Sequence, residues 1–379
     1  MTPFKKAIGK LHLWLGLASG LVVFIVSITG AIFTFQDDIR DLTEPWRKVP
    51  VQQTAYLLPS QLQAAALAAH PGIAAKDCWT TYFGPERSAT VFFTDKAGAP
   101  IMVSLNPYSG QVLHETDLRT HFFSIVQEIH MHLLLPEAVA KWVVGISISV
   151  FVVMLLTGIV LWWPKRRQER KQRLTIKWGA RWRRINYDLH NVLGFYAAAI
   201  ALMLALTGLF MIFPWMLESS MFVINGGPVD AREKITAKVD TLQPAAAAAQ
   251  PLPDVVYRAA RRLSPRAEMI LLGPTGSRKD PVYCWTYGKT LHYYHRDEYA
   301  FHPVSGEVLQ FLPHARKGTA TRFSDMNYDL HTGQLLGFGG KIVAFLASLI
   351  AASLPVTGTV IWWGRRHKSK KKKPQAALA

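Results

Sequence analysis

Four apolar stretches, each longer than the roughly 18 residues that mark a spanning helix, constrain this chain more than any other feature. They run Leu13–Phe35, Lys141–Trp163, Val192–Trp215 and Leu335–Trp363. None contains an Asp, a Glu or an Arg, residues whose burial in lipid is costly. The first is too long for the apolar core of a signal peptide. Phe33-Thr34-Phe35 offers no small-residue cleavage site, so the stretch reads as a retained anchor. The chain is therefore expected to be an integral membrane α-helical four-helix bundle. Gln36–Met131 and Leu217–His331 are long enough for folded domains on one side.

The net charge of +18 invites a nucleic-acid reading, but its distribution argues against one. The N-terminus, the Pro164–Leu189 segment and the tail after the fourth stretch carry +3, +8 and +7, while the two long loops carry −3 and +2. Short basic segments mark the cytoplasmic side. Both termini and Pro164–Leu189 are placed there, with both loops outside. Lipid headgroups, not nucleic acid, are the partners of the basic tail. Trp162-Trp163 and Trp362-Trp363, each followed by basic residues, read as interfacial anchors.

The chain repeats itself. Asn-Tyr-Asp-Leu-His occurs at Asn186–His190 and Asn327–His331, and Thr-Gly occurs once per stretch, at Thr29, Thr157, Thr207 and Thr357. Cys78-Trp79-Thr80 matches Cys284-Trp285-Thr286, and Asn106–Leu113 matches His302–Leu309. Each half is thus helix, outer domain, helix. The outer domains read as α+β. The first has a helix at Ser60–Ala69 and strands at Cys78–Phe83, Thr90–Thr94 and Ile101–Leu105. The second has a helix at Asp254–Leu263 and strands at Glu268–Leu272, Val282–Tyr287, Glu298–Phe301 and Val308–Phe311. The two cysteines, in matching motifs, are either bonded or buried thiols. The expected organisation is a first span over 1–36, a domain over 37–130 and a second span over 131–164. A cytoplasmic loop over 165–189 and a third span over 190–217 come next. A domain over 218–330, a fourth span over 331–364 and a tail over 365–379 complete it.

Four of the thirteen histidines hold equivalent places in the repeat. His12 and His190 each lie 17 residues before a Thr-Gly, at spans that start inside. His130 and His331 lie 27 and 26 residues before theirs, at spans that start outside. The topology pairs His12 with His190 near one face and His130 with His331 near the other, at helix starts. Such pairs suit bis-imidazole ligation of haem. A proton relay, a metal site and a purely structural role stay open beside it. Gly16, Gly194, Gly333 and Gly337 would give a macrocycle room, and Lys10, Arg184 and Arg322 stand where propionates could emerge. His132 rivals His130, but Glu128-Ile129-His130 aligns with Asp329-Leu330-His331 and favours His130. The acid two residues before each histidine is expected to cap a helix. His292, His295 and His302 read as an exposed polar face ahead of a metal site. No phosphate loop or flavin fingerprint occurs, so a reductant must come from elsewhere.

LHLWLGL, IHMHLLLPEAVAKWVVG, TGIVLWWPKR, DLHNVLGF and DLHTGQLLG together resemble the PepSY-associated transmembrane family over nearly the whole chain. Within it the chain is similar to inner-membrane siderophore reductases of the ferrioxamine-reductase type. The resemblance implies two periplasmic PepSY-like domains in the bacterial inner membrane. It also implies two b-type haems held by His12, His130, His190 and His331. Electrons would pass from a cytoplasmic or membrane donor to a ferric siderophore, making the chain an oxidoreductase. A membrane-tethered module that restrains peptidases explains the domains but not the paired histidines. A secondary transporter is disfavoured by halves of the same orientation and by spans without acids. Reporter fusions after Lys373 and within Gln168–Lys177 should read cytoplasmic, and fusions near Gly98 and Gly276 external. A cytoplasmic Gly276 would end the four-span topology.

Overall fold

The computed structural model describes residues 2–164, 166, 168–240 and 246–370. Among the described residues four helices are long and apolar enough to cross a membrane: Pro3–Thr34, Glu137–Trp162, Trp182–Ile212 and Gln334–His367. The chain is thus a multi-pass membrane protein. The first three helices begin before their apolar stretches and the fourth runs four residues past its own, because helical hydrogen bonding does not stop where the apolar residues do. Pro3 opens the first span, where its missing N–H costs nothing, and the Thr2 hydroxyl accepts from Lys5 N at 3.4 Å.

The chain divides into two compact units, one of which gathers the spans: Met1–Phe35, Val126–Met216 and Leu330–Ala379. Within it the first span packs on the second and fourth, and the third packs on the same two. The first and third spans therefore stand diagonally, as do the second and fourth. Val23, Val26, Val144, Ile148, Phe151, Leu155, Ala205 and Leu209 fill the centre. Small residues bring the backbones close: a Cβ at Gly20 would stand 3.2 Å from Pro355 Cβ on the fourth span. One expectation fails here. Trp162 is buried and stacks on Phe195 of the third span with ring centres 3.6 Å apart, so it is a packing residue and not an interfacial anchor. Its neighbour Trp163 is exposed.

The second unit comprises Gln36–Ile125 and Leu217–Asp329. Its first half holds strands β1 (Trp79–Tyr82), β2 (Ala89–Thr94), β3 (Pro100–Leu105) and β4 (Val112–Asp117). Its second half holds β5 (Met269–Leu272), β6 (Val282–Tyr287), β7 (Arg296–Phe301) and β8 (Val308–Leu312). The two four-stranded antiparallel sheets join edge to edge. The order is β4-β3-β2-β1-β5-β6-β7-β8, with Thr80, Thr81 and Tyr82 opposite Leu272, Leu271 and Ile270. Helices Pro59–Leu67 and Leu252–Leu263 share one core with the sheet, through Leu62, Ala66, Val256 and Ala260. Asp254 ties the halves, accepting from Ser60 N at 2.8 Å and from Ser60 Oγ at 2.6 Å, so a residue of one helix caps the other.

The duplication is visible in detail. Each half has a bulge just before the β3–β4 or β7–β8 turn, and each turn uses a glycine at positive φ, Gly110 at 76° and Gly306 at 72°. His302 Nδ1 accepts from Val304 N and Ser305 N, where Asn106 Oδ1 accepts from Tyr108 N. The cysteine match is different. Cys78 precedes the first strand of its half, whereas Cys284 lies in the second strand of its own, so the motifs are not equivalent in the repeat. Cys284 pairs with Leu272 of β5, and both thiols are free and buried.

The sheet unit also buries ions. Lys317 Nζ lies 2.6 Å from both Glu298 and Asp325, and Arg296 closes on Asp325 at 2.9 Å. Removing one member strands a partner charge in a dry site. Lys317→Met should destabilise the unit by about 3 to 5 kcal/mol, and Lys317→Met with Asp325→Leu by much less, as read from denaturation midpoints. Equal losses in both would show that the ions are not coupled.

Candidate functional site

His12 lies within the first span and His190 within a π-helical turn, Leu189–Leu193, that opens the apolar part of the third. Their ring centres are 6.5 Å apart, almost perpendicular at 89°. A π turn is rare and shifts the register of the side chains it carries. At the other end His130 and His331 lie 6.1 Å apart at 57°. These two are not at helix starts. Each sits in the last turn of a short helix, Phe122–His132 or Thr319–His331, that precedes its span. The chain then turns left-handed into the span: Leu133 and Leu134 adopt φ of 54° and 59°, while the equivalent turn uses Gly333 and Gly337. Leucine holds such a backbone only against strain that its surroundings must overcome.

Each ring is fixed by the span adjacent to it in the same half. His12 Nδ1 meets Thr157 Oγ1 at 2.9 Å, and His190 Nδ1 meets Thr357 Oγ1 at 2.9 Å. His331 Nδ1 meets Thr207 Oγ1 at 2.9 Å. His130 Nδ1 meets Thr29 Oγ1 at 3.2 Å and the Val26 carbonyl at 2.9 Å. The glycine after each threonine seats the ring edge. A Cβ at Gly158, Gly358, Gly208 or Gly30 would lie 3.5, 3.2, 3.1 or 3.0 Å from Cε1 of His12, His190, His331 or His130.

Other expected participants take different places. His132 accompanies Glu128 at 2.9 Å on a separate face of its helix, which leaves His130 as the ring paired with His331. The acids two residues before the histidines do not cap helices. They sit late in their helices, where Asp329 accepts from Tyr293 N and Tyr294 N at 3.0 Å, and Asp188 holds Arg184 at 2.9 Å. Arg184 is thereby engaged, and Arg322 donates to the Ala315 carbonyl at 3.1 Å. The expected glycines have different neighbours: Gly333 abuts the Gly340 carbonyl, a Cβ at Gly16 would strike Met154 Cε at 2.7 Å, one at Gly194 would stand 3.3 Å from Leu354 Cδ2, and Gly337 faces open space.

In the sheet unit, the rings of His295 and His314 stand 4.5 Å apart. Burial first, and then His295, push the His314 imidazole down to about 4. Among the described residues no three or more His, Cys, Asp or Glu side chains converge to hold a metal ion.

The donor set discriminates between ligands. A zinc site takes three or four protein ligands, whereas a porphyrin brings its own four nitrogens and asks for two axial ones. Each site here offers two imidazoles. A metal–nitrogen bond of about 2 Å, plus about 1 Å to each ring centre, separates two axial imidazoles by roughly 6 Å. The residues present fit bis-histidine haem in number and in spacing.

A family model described as PepSY-associated TM region matches residues 10–365. No curated protein matches the chain.

Proposed function

The chain belongs to the PepSY-associated transmembrane family, and from that premise we propose that it is a di-haem electron conduit that reduces ferric siderophores outside the inner membrane and releases Fe(II). The observation that carries the reading is the two histidine pairs, one toward each end of the bundle, with ring centres 6.5 and 6.1 Å apart.

In this reading His12 and His190 hold one haem b, and His130 and His331 hold the other. Bound there, each haem supplies a one-electron ferric/ferrous couple. The chain's own part is to hold the imidazoles, exclude water and shorten the crossing. His12 and Thr29 are about 25 Å apart along the first span at 1.5 Å per residue, and Thr29 is a partner of His130. Two relay points replace one long gap with short ones. The apolar centre built from Val23, Phe151, Leu155 and Leu209 keeps water from the path.

Direction follows from the asymmetry of the loops. The short basic segments on the inner face suit a donor protein or the anionic membrane surface. The folded sheet unit is large enough to receive a bulky acceptor. A ferric hydroxamate of the ferrioxamine type is the proposed acceptor, because reduction weakens a hard-oxygen chelate's hold on iron. The paired, half-buried rings favour this reading over a peptidase-restraining module, which has no use for them.

The purified protein, reduced with dithionite, should show a low-spin b-type spectrum and yield about two haems per chain. His12→Ala or His190→Ala should remove one haem, and His130→Ala or His331→Ala the other. His132→Ala should spare both. A colourless, well-folded preparation from haem-replete cells would remove the conduit reading. Reduced haems that no ferric chelate reoxidises would remove the siderophore and leave the conduit.

A further inference from the structure

The Thr-Gly dipeptide occurs once in every span, and electron transfer as described above does not require it. Its geometry is the same four times. Each threonine hydroxyl lies against a carbonyl of its own helix. Thr29 Oγ1 reaches Ile25 O at 2.8 Å, Thr157 reaches Val153 O at 2.9 Å, Thr207 reaches Met203 O at 2.8 Å, and Thr357 reaches Ser353 O at 2.8 Å. The single hydroxyl proton is donated there. The oxygen is then an acceptor toward the histidine, so the proton between them belongs to Nδ1. At His130 the Val26 carbonyl, which can only accept, demands the same. All four imidazoles therefore carry their proton on Nδ1 and present a bare Nε2 lone pair.

Back-bonding of a threonine to its own helix is common and by itself says nothing about function. Here the back-bond and a cross-helix imidazole coincide at each of the four Thr-Gly positions, with a glycine beside each that lets the ring edge approach to contact distance.

We propose that Thr29, Thr157, Thr207 and Thr357 are positioning residues that fix the tautomer of each histidine and set its donor strength toward the group bound at Nε2. The inference rests on the haem reading for the group, but the tautomer is a property of the protein alone. A hydrogen bond accepted from Nδ1–H gives the ring partial imidazolate character and makes Nε2 a stronger donor. A stronger donor favours ferric over ferrous iron. Losing the threonine oxygen should therefore raise the potential of the site it serves. Thr157 and Thr357 serve the His12/His190 site, and Thr29 and Thr207 serve the His130/His331 site. The sites are not equal. Each imidazole also has a backbone carbonyl beside its threonine, from Val26, Met154, Leu204 or Leu354, and at His130 that carbonyl, at 2.9 Å, is nearer than Thr29, at 3.2 Å, so Thr29 should matter least.

Two measurements on the full chain test this. In haem-free protein labelled at histidine with nitrogen-15, wild type should show His12, His190, His130 and His331 as the Nδ1–H tautomer. Thr157→Val should mix the tautomers of His12 alone, and Thr157→Ser should restore them. In haem-loaded protein, a redox titration followed in the visible spectrum should show Thr157→Val, Thr357→Val and Thr207→Val each raising one haem's potential. The expected size is about a tenfold change in ferric/ferrous preference, or about 59 mV for one electron. Thr29→Val should shift less, and Thr→Ser should return each potential. Unchanged tautomers in the valine variants, unchanged potentials with both haems in place, or failure of the serine variants to restore either, would overturn the proposal. A wild type that takes up no haem yet shows the four Nδ1–H tautomers would overturn the haem reading and the tuning, and uphold the tautomer assignment.

Discussion

A hydrogen bond between an imidazole and a threonine, made inside a bundle of apolar helices, is the interaction on which this arrangement depends. Lipid gives helices little reason to prefer each other over acyl chains, so polar contacts and close packing decide which faces meet. His12 with Thr157 and His130 with Thr29 join the first two spans. His190 with Thr357 and His331 with Thr207 join the last two. Each half is thus fastened at both ends. The histidine pairs then form across the diagonals, between halves. The same ring that fastens its own half stands 6.5 or 6.1 Å from a ring of the other.

The sheet unit solves a related problem with different chemistry. A four-stranded antiparallel sheet alone would leave β1 or β5 as an unpaired edge, a template for unwanted association. Pairing those two edges closes both at once and leaves only β4 and β8 as margins. Asp254 fastens the join from the helical layer through Ser60. Trp79 and Trp285 stack 6.1 Å apart on strands that flank β5. The junction is therefore held by backbone pairing, by a cap and by rings.

Much of this was legible in the chain because bilayers and duplications leave strong marks. A span must be continuously apolar, so four spans could be read directly. A repeat separates four histidines from thirteen. What escaped depended on neighbours distant in sequence. Thr-Gly was visible as a repeat, but its meaning needs the adjacent helix. Trp162 looked like an anchor beside basic residues, and only the Phe195 ring across from it shows otherwise. Strand β4, Val112–Asp117, is a polar edge strand with little alternation, and its signal lay only in the match of Val112-Leu113 to Val308-Leu309 in the repeat. The three-residue cysteine match was a coincidence that strand order alone could expose. The union of β1 with β5 leaves no local signature, since any edge can pair with any other. The acids before the histidines were read as caps from spacing, whereas Asp329 instead anchors the loop at Tyr293 and Tyr294.

The crossing of the pairs has a consequence for descent. Neither half contains a complete site, because each pair takes one ring from each half. A single half, folded alone, would own two lone imidazoles and no pair. Two copies of one half, related by a twofold axis through the bundle centre, would own both pairs at once. The duplication thus made covalent a partnership that a symmetric dimer could already have had. With the copies freed from identity, each of the four positions became able to diverge on its own. Leucine now stands in one left-handed turn where glycine stands in the other, and one histidine has an acceptor that its counterpart meets less closely.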